Sequence, residues 1–163
     1  MELQISPFRS ISDQGQKDIV NLIKIGNEAN SELIMERLEN SLVTAWLQLE
    51  NRIVGTATIK SPEFSYRSFV VEKAALGRTP ENISLELGYV FVLPSFRNQG
   101  LALQLCNSLI QQIPNLSIFA TTRHDNSGMK SILHTLNFSK EGNSYENRSK
   151  TNMLEFYFRN PII

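Results

Sequence analysis

Ser95-Phe96-Arg97-Asn98-Gln99-Gly100 follows Pro94 and runs directly into Leu101-Ala102, which sets one cation and one glycine just ahead of a periodic apolar stretch. At the start of a helix several backbone N–H groups have no partner, and the aligned peptide dipoles concentrate positive potential there. Gly100 allows a ligand to approach the backbone and Arg97 adds charge, so Arg97–Ala102 suits a phosphate or diphosphate. Spacing alone leaves a second reading open, a glycine turn that binds nothing. Other reactive side chains are sparse. Cys106 is the only cysteine; it can form neither an internal disulfide nor a cysteine zinc site, and its amphipathic surroundings mark it as a small apolar filler. His124 and His134 are the only histidines and lack metal-site spacing, so no metal is expected.

These residues sit in a chain of 163 residues, 41% hydrophobic and 20% charged. That length supports one core, and residues 1–163 are expected to form a single domain. The 16 Lys and Arg offset the 16 Asp and Glu. No overall field gathers nucleic acid or anionic lipid, and neither is an expected partner. MELQISPF lacks a basic region followed by an apolar run, and no stretch approaches the length of a membrane span. With a lone cysteine, this makes the cytoplasm the expected location.

The elements that must position the loop follow from periodicity. Leu3 and Ile5 alternate as in a short strand; Ser12-Asp13 can cap a helix carrying Ile19, Leu22 and Ile23; Asn30-Ser31 can start another carrying Leu33, Ile34 and Leu38. Leu42–Leu49 and Ile53–Ile59 flank Glu50-Asn51-Arg52 as a hairpin. Ser61–Ser84 reads as loop with one extended piece at Ser68–Val71. Leu85–Leu93 is a nearly continuous apolar run interrupted by Glu86 and Gly88, as in a buried central strand, and Gly88 marks a bulge or a splaying of strands. Leu101, Leu105, Leu109 and Ile113 recur every four residues and define the helix behind the loop, which stops before Pro114. Leu116–Ala120, Ser127–Leu136 and Asn152–Arg159 then read as strand, helix and strand. This order describes a mixed sheet with helices packed on it, its central strand-helix-strand unit a right-handed parallel crossover.

Val92-Leu93-Pro94-Ser95-Phe96-Arg97-Asn98-Gln99-Gly100-Leu101-Ala102 closely resembles the acetyl-CoA motif of the GNAT superfamily of N-acetyltransferases, VxPxxRxxGxG/A. Downstream, Asn126–Phe138 resembles that family's second motif, an Asn opening a helix that ends in Gly-Phe. Asn137 stands for the glycine, and Asn is the other residue that readily takes the left-handed conformation at a helix end. Ile53-Val54-Gly55-Thr56-Ala57 resembles the family's third strand. The resemblance covers most of the chain. It implies an α/β fold with a mixed, mostly antiparallel sheet of six to seven strands and about four helices, acetyl-CoA as co-substrate, and transfer of an acetyl group to an amine.

By the same resemblance, the backbone of Val90, Phe91 and Val92 pairs with the pantetheine arm, while Arg97, Asn98, Gln99, Gly100, Leu101 and Ala102 hold the pyrophosphate. Asn126 binds the cofactor arm, caps its own helix, or does both. Glu86 matches a position where many relatives place a carboxylate base; a solvent-facing glutamate is the alternative. The Val92 N–H faces the thioester oxygen. Leu133 falls where many relatives carry a proton-donating tyrosine, although leucine also occurs in the branch resembling ribosomal-protein N-terminal acetyltransferases. Ser131, His134, Tyr89, Tyr145 or water remain as the acid. The acceptor is expected to contact Asn27–Asn40, Ser61–Ser84 and Ser139–Lys150. Phe64, Tyr66 and Phe69 line that groove, form a homodimer contact, or pack under the loop. The competing functions are an acyl-CoA-binding regulatory module without catalysis, favoured by Leu133, and a nucleotide-binding domain, which would need a Walker lysine or GxGxxG that the chain lacks.

Overall fold

The structure is a computed structural model that describes residues 1–26 and 31–162. Among the described residues seven strands, β1 (Glu2–Ser6), β2 (Val43–Leu49), β3 (Arg52–Lys60), β4 (Glu86–Val92), β5 (Ile118–Arg123), β6 (Ser139–Glu146) and β7 (Met153–Arg159), pair in the order β1-β2-β3-β4-β5-β7-β6; β1 with β2, β2 with β3, β5 with β7 and β6 with β7 are antiparallel, and β4 with β5 is parallel. The chain divides into two units, Met1–Ser61 with Leu87–Ile113 and Pro62–Glu86 with Pro114–Ile163.

In the first unit, β1 (Glu2–Ser6) pairs antiparallel with β2 (Val43–Leu49), which forms the expected hairpin with β3 (Arg52–Lys60). Glu50 takes the left-handed conformation in the turn, at φ 54. The helix α1 (Asp13–Ile25) begins at Ser12, whose hydroxyl accepts the Gly15 N–H. The second, α2 (Ser31–Glu39), buries Ile34 and Leu38; Asn30, expected at its start, lies outside the described residues, as do 27–29. Residues Ile53–Ile59 are all buried, because α1 and α4 (Leu101–Gln112) both pack on β3. Leu105 and Leu109 supply the apolar stripe of α4.

In the second unit, Glu86 opens β4 (Glu86–Val92) and pairs in parallel with Phe119 of β5 (Ile118–Arg123). The strand β7 (Met153–Arg159) lies antiparallel between β5 and β6 (Ser139–Glu146). Val70, Ala74, Ile83, Phe119, Tyr145, Phe156 and Phe158 form the core, with the Phe119 and Phe156 rings stacked at 5.5 Å. The helix α5 (Ser127–Thr135) ends as its sequence suggested: Asn137 sits at φ 65 and the Phe138 N–H reaches back to the Leu133 carbonyl at 2.9 Å.

Two expectations are corrected. Ser61–Ser84 is not a loop with an extended piece: Phe64–Lys73 is a helix, α3, one of five α-helices among the described residues. Tyr66, Phe69 and Val70 do stand at helical spacing, but Phe64 and Val71 fall off that face and the serine, aromatic and β-branched content reads poorly as helix. The segment Ser139–Lys150, to which the sequence pattern assigns no element, contains β6. It is an edge strand with one buried residue, Tyr145, so it carries no apolar alternation to find.

Candidate active site

In the first unit β4 leads through a tight turn at Pro94–Phe96 into Arg97–Gly100 and then α4. Asn98 and Gly100 both take positive φ, 60 and 74, which turns the backbone sharply twice before the helix. Gly100 is the N-cap, so no side chain caps α4, and its first turn holds no acidic residue. Nothing lies within 4 Å of where a Cβ on Gly100 would stand. The start of α4 is therefore an exposed, uncompensated positive end fitted to an anion, and the residues present fit the diphosphate of acetyl-CoA. Arg97 is partly committed: its Nε donates to the Val92 carbonyl at 3.0 Å and its guanidinium lies over the Phe91 ring at 5.4 Å. Along β4, Val90 and Phe91 are half-buried and Val92 is buried. The irregularity expected at Gly88 is carried by its neighbour Tyr89, at φ 50. Gly88 itself gives room to the side chain of Lys60, whose ammonium lies 4.9 Å from the Tyr89 ring centre.

In the second unit Glu86 is only 2% exposed, which removes the solvent-facing alternative. Two hydroxyls from different elements converge on its Oε1: Tyr66 of α3 donates at 3.1 Å and Thr121 of β5 at 3.3 Å. Burial first, then the charge of Glu86, pushes the Tyr66 hydroxyl well above its usual pKa of 10.0. Tyr145 is raised for the same two reasons in the same order. Its hydroxyl and that of Tyr89 are buried without a hydrogen-bond partner among the described residues. Leu133 is fully buried, while Ser131 and His134 are exposed. Asn126 caps α5, its Oδ1 accepting the Met129 N–H at 3.0 Å. Thus Glu86 is brought together with Tyr66, Thr121 and Tyr145. Tyr66 and Thr121 went unrecognised as its partners, because only the helical spacing of Tyr66 with Phe69 and Val70 hinted that its hydroxyl points inward. Among the described residues, no group of three His, Cys, Asp or Glu is arranged to hold a metal, and no helix is long and apolar enough to cross a membrane.

Comparison with known proteins adds an independent line. The model of the acetyltransferase (GNAT) family matches residues 15–138. No curated protein matches the chain in sequence. Among solved structures, a GNAT-family acetyltransferase of Bacillus cereus is similar over 100% of both chains, with 18% identity and a TM-score of 0.64. The protein yncA of Salmonella typhimurium, solved with its cofactor acetyl-CoA, is similar over 100% of this chain and 96% of its own, with 12% identity and a TM-score of 0.70. A ribosomal-protein alanine N-acetyltransferase of Escherichia coli is similar over 96% of this chain and 92% of its own, with 13% identity and a TM-score of 0.67.

Proposed function

Because the chain belongs to the acetyltransferase (GNAT) family, we propose that it is an N-acetyltransferase, which moves an acetyl group from acetyl-CoA to a primary amine by direct attack in a ternary complex. The amine belongs to a small molecule, a peptide or a protein N-terminus. The observation that carries this reading is the open start of α4, where Gly100 at φ 74 leaves the helix without a capping side chain. Acetyl-CoA supplies the activated thioester. Arg97, Asn98, Gln99, Gly100, Leu101 and Ala102 hold its diphosphate, chiefly through backbone N–H groups. Val90, Phe91 and Val92 offer their backbone to the pantetheine arm, with the Val92 N–H directed at the thioester oxygen. Asn126 takes part through its amide nitrogen, its oxygen being engaged by Met129.

Glu86 receives the amine proton through one intervening water, since its carboxylate is buried. Leu133 has no proton to give, so water protonates the thiolate, a step that the ordinary acidity of a thiol permits. We read residues 1–163 as one acetyltransferase domain, supported by a family match that spans both units. A lone buried cysteine suits the cytoplasm. A second reading, an acyl-CoA-binding module without catalysis, rests on Leu133, which has no proton to give where many relatives carry a tyrosine.

The test is coenzyme A thiol release with spermidine, lysine, tyramine and a peptide beginning with alanine, alongside calorimetric titration of acetyl-CoA. Turnover with one of these amines is expected; tight binding with no release across the panel favours the module instead. Glu86→Gln is expected to lower kcat by about 100-fold with the acetyl-CoA affinity kept. Gly100→Val is expected to do the reverse, weakening acetyl-CoA binding because a branched side chain at positive φ fills the space left for phosphate. If neither variant departs from the parent, the site is wrong.

A further inference from the structure

The assignment of Glu86 as base leaves open what holds a buried carboxylate in one orientation. Two hydroxyl protons are available nearby, those of Tyr66 and Thr121, and both reach the same oxygen, Oε1. With both protons so used, the 3.4 Å approach of Tyr66 to Thr121 carries none and is a consequence of their shared target. The two donors come from different elements, α3 and β5, so the carboxylate is fixed from two directions.

Each donor is itself locked. Tyr66 packs against the core through its ring, one helical turn from the fully buried Val70. The Arg148 guanidinium lies 5.9 Å from the Tyr66 ring centre and 5.2 Å from that of Phe69. Thr121 stands two residues along β5 from Phe119, on the face of the strand that enters the same core. The Tyr66 hydroxyl keeps its proton throughout the working pH range and stays a donor, because burial and the neighbouring carboxylate both oppose its ionisation.

We propose that Tyr66, assisted by Thr121, is a positioning residue for the acetyl transfer: its hydroxyl orients the Glu86 carboxylate for proton removal without touching the substrates. This rests on the reading of Glu86 as base, and it names α3, outside both family motifs, as part of the catalytic apparatus. A side chain that only filled space would affect stability, whereas one that orients the base affects kcat.

The test compares Tyr66→Phe, Thr121→Val, Glu86→Gln and Tyr66→Phe with Glu86→Gln, using acetyl-CoA and the fastest amine among spermidine, lysine, tyramine and the alanine peptide. Tyr66→Phe is expected to lower kcat about tenfold with the KM for acetyl-CoA within about twofold, and Thr121→Val to lower kcat a few-fold. In the Glu86→Gln background, Tyr66→Phe is expected to change kcat no further, since there is no base left to orient. Tyr157→Phe is the structural control; it deletes a hydroxyl bonded to Glu155 at 2.8 Å and is expected to lower the Tm while leaving kcat alone. A Tyr66→Phe kcat within twofold of the parent overturns the inference, as does a full tenfold loss on top of Glu86→Gln. If Tyr66→Phe does not fold, an unchanged kcat in Thr121→Val overturns it. Parental turnover in Glu86→Gln overturns the base assignment as well; lost turnover there with normal Tyr66→Phe overturns the positioning role alone.

Discussion

Two buried carboxylates of the second unit show how the company of a residue decides its work. Glu86 accepts the hydroxyls of Tyr66 and Thr121, whereas Glu155 lies between two ammonium groups, Lys130 and Lys140, each at 3.2 Å, and also accepts the Tyr157 hydroxyl. Burial alone would raise the Glu155 carboxyl, but those three donors outweigh it and hold its pKa below the ordinary value of a glutamate. A folded-state value below the unfolded one stabilises the fold above the unfolded pKa, about 4.3, and that contribution is lost as pH falls through the folded value. Glu155→Gln should therefore cost about 2 kcal/mol at pH 7, with the gap from the parent closing below about pH 4. Denaturant melts across that range check this; a gap that stays constant in acid contradicts it. At this scale Glu86, whose role as base is the proposal, was legible as a candidate, an acidic residue interrupting an apolar run beside a recognisable loop. Its partners were not, since nothing local marks Tyr66 or Thr121 as facing a residue 20 or 35 positions away.

Elements with a one-sided pattern were readable, and those without one were not. The helix α4 carries an apolar stripe and a proline stop, and the hairpin of β2 and β3 carries two β-rich runs around a polar turn. The strand β7 alternates Leu154, Phe156 and Phe158 with polar residues, yet Glu155 through Arg159 are all buried, because Tyr157 bonds Glu155 and the Arg159 Nε donates to the Leu136 carbonyl at 3.1 Å. Its polar residues signalled partners rather than solvent. The strand β6 shows the opposite case, in which backbone does the work. Gly142 sits at φ 69 against the end of α3, and the next N–H, of Asn143, donates to the Ala74 carbonyl at 2.8 Å. A Cβ at Gly142 would overlap that carbonyl oxygen. Gly142→Ala should accordingly destabilise by about 2 kcal/mol, combining positive-φ strain with a displaced strand. A Tm within a degree of the parent would show that β6 can shift without loss.

For the molecule as a whole, equal numbers of acidic and basic residues mean that a highly anionic co-substrate meets no long-range attraction. On the proposed reading, recognition rests on short-range groups at the start of α4, where Arg97 supplies the side-chain charge. Arg97→Gln is expected to raise the Kd for acetyl-CoA several-fold in about 0.1 M salt, and the difference from the parent should shrink near 1 M, where the Debye length falls from about 10 Å to about 3 Å. Calorimetry at the two ionic strengths reads this, and an equal effect at both would assign Arg97 to packing on Phe91 instead. The fold itself persists in relatives with 18% and 12% identity. Few side chains are shared at that distance, which is why two short motifs, Val92–Ala102 and Asn126–Phe138, together with the arrangement of apolar faces carried the family resemblance while the acceptor left no trace.

The bare end of α4 has a consequence for the life of the protein in a cell. A helix whose cap is left to its ligand is less stable without it, and a ligand present at a hundredfold over its Kd adds about 2.7 kcal/mol to the folded state. Proteolysis draws on the unfolded fraction. Where acetyl-CoA fills that end as proposed, the abundance of this chain follows the acetyl-CoA supply, and starvation for acetyl groups lowers the protein along with its co-substrate.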